Sequence, residues 1–138
     1  MASLRRVLMA VVLVLVALAG ITACGHDDKP AHQGVPLPKD FPSKQVPLVD
    51  GVVQSATKID DVWEVKVQAP ATEGNAFDKA SSLLTDDGYV ESSRTQTSSE
   101  VSVLYSKEAD GKTYWVTVGI SAAAQGKASL IMYSVTRL

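Results

Sequence analysis

One cysteine, two histidines and no cluster of cations leave this 138-residue chain without the means for most kinds of chemistry. Cys24 has no second thiol to pair with, so no disulfide within the chain constrains the fold and its stability has to come from a packed core. His26 and His32 both fall in a proline-rich stretch with no rigid neighbour to orient a ring as a general base. Neither a Ser-His-Asp nor a Cys-His arrangement is therefore supported. A glycine-rich phosphate loop, H-E-x-x-H and C-x-x-C are all missing. The formal net charge is −2, and the absence of a Lys/Arg patch argues against binding nucleic acid, or anionic lipid by charge. The longest apolar run, residues 7–21, is fifteen residues long, short of the roughly 20 that cross a bilayer core.

What is present begins with that apolar run. Arg5 and Arg6 precede it, and the small residues Gly20, Thr22 and Ala23 lead to Cys24, which gives the three parts of a secretory signal. The run Ile21-Thr22-Ala23-Cys24-Gly25 resembles the lipobox of bacterial lipoproteins, apart from Ile21 where that family most often has leucine. The resemblance implies that a diacylglyceryl group is carried on the thiol of Cys24, which becomes the mature N-terminus once residues 1–23 are removed. Acyl burial contributes about 0.8 kcal/mol per methylene, so one chain holds marginally and two hold stably. The implied protein is thus lipid-anchored at the cell membrane, on its extracytoplasmic face. Its 115 mature residues keep eleven Lys and Arg against fifteen Asp and Glu, a balance of −4.

Residues 24–45 read as a Pro-rich membrane tether. Proline fixes φ and removes a donor, which favours extended, partly polyproline II chain. At about 3.1 Å per residue such a tether would hold a domain up to roughly 60 Å from the membrane. The segment around Leu37 and Phe41 is more apolar than a solvated tether requires. Docking on the domain and exposure both stay open for it.

Residues 46–138 read as a single α+β domain that folds without the tether. Val52–Ile59 and Val62–Ala69 are expected strands about the polar turn Asp60-Asp61, and in the second Trp63, Val65, Val67 and Ala69 share one face. Asn75 is an N-cap candidate for a helix over 76–87, with Gly88 at the C′ position. Ala76, Phe77, Ala80, Leu83 and Leu84 fall on one stripe of it. Strands are then expected at 89–97, through Val101, Val103 and Tyr105, at 114–121 after an Asp110-Gly111 hairpin turn, and at 128–137 after a turn at Gln125-Gly126. The order is β-β-α-β-β-β-β, predicting an antiparallel sheet with the helix packed on one face.

Few residues outside that core carry a functional signal. The pairs Asp60-Asp61 and Asp86-Asp87 sit where a turn and a helix end are expected, so solvated turn chemistry accounts for them. His26-Asp27-Asp28 with His32 has metal-ligating groups at loose spacing, but a tether pays a large ordering entropy to close such a site. No metal and no cofactor is expected. Trp115 alternates away from Tyr114, Val116 and Val118, as Leu130 and Met132 do from Ile131 and Tyr133. An outward tryptophan anchors a partner or an apolar ligand, or else lies under the tether or a neighbouring strand. Ser92 to Ser99 reads as solvated strand and loop, with surface glycosylation the lesser alternative.

The layout of lipobox, Pro-rich tether and small β-rich domain is similar to that of small lipoproteins of unknown function common in actinobacteria, a resemblance that brings no catalytic residues. The leading expectation is a non-enzymatic binding or interaction module whose partners are the membrane, through Cys24, and an envelope protein. A carrier of an apolar ligand or lipid is the second reading. A hydrolase is the third, and it lacks an oriented base.

Overall fold

A computed structural model describes residues 32–70, 75–121 and 129–138. The signal segment, Cys24, His26 and the turn expected at Gln125-Gly126 lie outside the described residues. The chain forms β1 (Gln33–Gly34), β2 (Val52–Ile59), β3 (Val62–Ala69), α1 (Ala76–Asp86), β4 (Val90–Gln96), β5 (Glu100–Ala109), β6 (Lys112–Ser121) and β7 (Ser129–Arg137). Among the described residues these make a mostly-sheet fold with one small helix, in which one seven-stranded sheet has the order β1-β2-β3-β7-β6-β5-β4. The sheet is mixed rather than wholly antiparallel, because Gln33–Gly34 adds parallel to Val52 and Val53 at the β2 edge.

Local chemistry explains where the elements begin and end. Asn75 Oδ1 accepts the backbone N–H of Phe77 at 3.0 Å and of Asp78 at 3.4 Å, capping α1. At the other end Tyr89 N–H reaches Leu84 O and Gly88 N–H reaches Thr85 O, a Schellman closure that needs the positive φ of Gly88. Asp110 and Gly111 both take positive φ, 55° and 71°, as a two-residue type I′ turn requires. Asp60 does so in the β2–β3 turn.

Alternation then sorts the two faces of the sheet. Val65, Val67, Val103, Val116, Val118, Ile131 and Val135 are fully enclosed on the inner face, and α1 packs there with Ala76, Phe77, Ala80 and Leu84. Leu83, expected on this stripe, is instead 38 % exposed. It stands about 100° round the helix from Leu84, beyond the edge of the contact. Between β3 and β4 the chain crosses four strand positions, and α1 spans that crossing over β6 and β7.

The larger departure is upstream. The tether was expected to run to Gln45, yet the structure makes residues 32–45 part of the domain. Phe41 is only 6 % exposed, Leu37 packs against the core, and Val46, Leu48 and Val49 are buried. Phe41 meets Trp63 edge to face, with ring centroids 6.4 Å apart. Polar contacts fix this strap by its backbone as well as its side chains. Val49 N–H donates to Tyr133 Oη at 2.9 Å, Tyr89 Oη donates to Gln45 O at 2.7 Å, and Val35 N–H donates to Val53 O at 2.9 Å. Asp40 accepts from Lys58 Nζ at 2.6 Å and from Trp63 Nε1 at 3.3 Å, and these two donors hold its carboxyl below the usual carboxylate range. Proline-rich chain is extended, but an extended chain with a large apolar side chain covers a sheet as well as it spans a gap.

Two measurements test the strap. Phe41→Ala is expected to destabilise the domain by about 3 kcal/mol in denaturant unfolding, and a chain starting at Val46 to melt well below one starting at His32; equal melting points would show that the strap lies outside the core. The second is alkaline unfolding. Burial raises the hydroxyl pKa of Tyr133, and burial together with the negative charge of Asp87 raises that of Tyr89. Both phenols are therefore favoured neutral in the folded state. Their contribution is fully present below the ordinary tyrosine value of 10.0 and is lost as pH climbs above it. Tyr133→Phe should flatten that loss and cost about 1–3 kcal/mol at neutral pH through the orphaned Val49 N–H.

Candidate functional site

Strap and helix cover only the inner face. The opposite face of the sheet carries no element among the described residues, and its register is now fixed. Across the strands Val62, Thr136, Trp115 and Ser106 form one row, and Glu64, Ser134, Thr117 and Leu104 the next. Lys66, Met132, Gly119 and Ser102 follow. Trp115, Leu130 and Met132 thus share the outer face: alternation turns each away from the core side of its own strand, and the β6–β7 pairing brings them to one side of the sheet. Trp115 is half-buried, and the strap does not cover it, because the strap lies on the inner side with Trp63 and Tyr133.

The middle of this face is a groove of about 360 Å³ with Gly119 in its floor. Glu64, Lys66, Glu100, Ser102, Thr117 and Met132 are among its walls. Nothing in the backbone requires a glycine at 119. Its φ is not positive, and a Cβ placed there would stand 3.6 Å from Glu100 Oε1 and 3.7 Å from Met132 Cε and Ser102 Cβ, ordinary contact distances. Contrast Gly34, at φ 97°, where a Cβ would run into the Val53 carbonyl oxygen. Glycine inside a strand weakens it and often marks the close approach of another group. Trp115 is two residues from Thr117 on the same face of β6, about 7 Å along the strand, so it flanks the groove without lining it.

The other residues singled out from the sequence lie apart from this groove. His32 places Nε2 3.1 Å from Val49 O on the strap, so the ring serves the fold there. Asp60-Asp61 forms the β2–β3 turn, while Asp86 ends α1 and Asp87 caps it. Asp87 also accepts from Lys107 at 2.8 Å. Among the described residues no group of three or more His, Cys, Asp or Glu is arranged to hold a metal ion. A second groove of about 350 Å³ runs between α1 and the strap at Val49 and Asp50, with Leu83 and Asp86 on its helix side. The Ser/Thr-rich segment is β4 and the turn after it, exposed throughout. A bulge at Ser92 keeps Glu91 and Arg94 on one side, where Arg94 grips the carboxylate with two bonds of 3.1 Å.

Sequence reasoning found the outer face and Trp115 but not the groove. The available signal was a lone glycine amid the β-branched and aromatic residues of β6. No family model, curated protein or solved structure matches this chain.

If Gly119 is there for the groove and not for the fold, Gly119→Ala should leave the melting temperature unchanged or raise the stability by about 0.4–1 kcal/mol, through loss of unfolded-state freedom. A clear loss in thermal unfolding would assign the glycine to packing.

Proposed function

We propose that this protein is a lipid-anchored extracytoplasmic binding module, tethered through Cys24, that seats an envelope protein on the outer face of its sheet, over Gly119 and beside Trp115. The observation that carries this reading is a glycine inside β6, lining an open groove, at a position where an added Cβ would make only ordinary contacts. The groove walls combine an apolar methionine with hydroxyls, two carboxylates and a lysine. That mixture suits a polypeptide surface better than an acyl chain, since protein interfaces carry about as much polar area as the rest of a protein surface. A carrier of an apolar ligand would place its cargo inside the fold. The inner face is already filled by Phe41, Leu48, Val49 and the α1 stripe. The reading is non-enzymatic, with no residue in a catalytic role and no cofactor.

A photo-crosslinking residue at Thr117 in host cells tests it. The expected result is a discrete protein adduct that Trp115→Ala and Gly119→Val each weaken. Truncating an anchoring tryptophan costs about 2 kcal/mol or more of binding, roughly thirtyfold, against about 1 kcal/mol or less of stability for a surface site. Cys24→Ala should release the protein from the membrane fraction. An adduct that survives both substitutions, or a lipid that co-purifies in stoichiometric amount, overturns the module.

A further inference from the structure

β4 ends the sheet, and its open side carries a pattern that complements itself. Thr97 N–H bonds Glu100 O, so Glu100 and every second residue after it on β5, namely Ser102, Leu104 and Ser106, turn their backbone groups toward β4. Their partners there are Thr95, Ser93 and Val90. Gln96, Arg94 and Glu91 are left with their backbone N–H and C=O groups turned outward, where no strand among the described residues pairs with them. The strand is exposed along its whole length. An edge of this kind is a ready template for another strand.

The bulge at Ser92 decides which strand fits. In an unbroken strand, residues three apart point to opposite faces of the sheet. The extra residue instead brings Glu91 and Arg94 to one face, opposite Tyr105 and Val103. An anion and a cation therefore stand on either side of Ser93, on the same face and with the same backbone orientation. We propose that β4 pairs antiparallel with β4 of a second copy of this chain, about a two-fold axis at Ser93. Arg94 then stands opposite Glu91 of the second copy and Glu91 opposite its Arg94, each pair exchanging both backbone hydrogen bonds. Opposite charges so placed attract. Neighbouring registers lose this: an axis at Arg94 or at Glu91 sets like charges face to face, and one at Thr95 puts Glu91 beyond the end of the ladder. Within one chain Arg94 already holds Glu91 with two bonds of 3.1 Å, yet both side chains stay about half exposed. Each keeps donor or acceptor positions for its counterpart. Seven residues make a small interface, so the dimer is weak and depends on concentration. The ladder runs along the sheet edge and leaves the groove over Gly119 open in each copy, so it neither uses nor requires a partner on the outer face.

A disulfide trap in the intact protein reads the register. Facing residues that exchange no backbone hydrogen bond lie about 4.5 Å apart at Cα, within reach of a disulfide. Ser93→Cys is therefore expected to give a covalent dimer on non-reducing gels of host cells after mild oxidation. Thr95→Cys places its two thiols on residues about 14 Å apart, and should give no more dimer than the parent chain with its Cys24. Adding Arg94→Glu or Glu91→Arg to Ser93→Cys should cut the dimer roughly tenfold, and combining both reversals should restore it. A yield at 93 no higher than at 95 overturns the pairing. So does a yield that the single reversals leave unchanged or that the double reversal fails to restore.

Discussion

A sheet of seven strands at about 4.8 Å spacing is close to 29 Å wide, whereas a helix of eleven residues is about 16 Å long and 10 Å across. α1 cannot shield the inner face alone, and the rest of the architecture follows from that shortfall. Without cover, Trp63, Val65 and Tyr133 would meet water. The chain supplies the missing layer from its own N-terminal side, as an extended strap instead of a second helix. Extended chain leaves backbone donors and acceptors without helical partners, and here Tyr89 and Tyr133 satisfy two of them. Both tyrosines therefore act as core residues and as capping groups for a segment with no regular structure of its own.

Trp63 shows how tightly this layer is tied to the sheet. Its ring is nearly sealed, with Phe41 at one edge, Lys58 Nζ 4.8 Å and Arg137 Cζ 5.3 Å from the ring, and its N–H on Asp40. One side chain thus joins the strap, β2, β3 and the final strand. With the inner face so fully engaged, no element among the described residues covers the outer face.

Much of this was legible in the sequence, for local reasons. The bounds of β2 and β3 are legible because the polar pair Asp60-Asp61 separates them, and the alternation of Trp63, Val65, Val67 and Ala69 marks the inner face of β3. α1 was marked at both ends, by Asn75 and by Gly88. The inner and outer sides of β6 and β7 followed from period two alone, and Trp115 with them. What escaped was non-local. The β3–β7 pairing joins segments far apart in the chain, and no periodicity records such a choice. The strap was hidden because proline content speaks to backbone shape and says nothing of what an extended chain lies against. Tyr89 was assigned to a strand, whereas it ends the helix and reaches back to Gln45. Gly119 falls on an outward position of β6, and alternation, which counts side chains, is blind to the meaning of a missing one.

The place of β7 between β3 and β6 bears on when the domain forms. The β2–β3 hairpin and the β4–β5–β6 meander each come from neighbouring stretches of chain, yet they join only through the last strand to be made. Tyr133, which holds the strap, belongs to that same strand and lies 84 residues from its partner Val49. Contacts of such sequence separation slow folding, because the loop entropy is spent before the contacts repay it. Until residues 129–137 arrive, the chain is two unjoined pieces of sheet with no closed core. A polypeptide wired this way commits to its tertiary structure only when β7 is in hand.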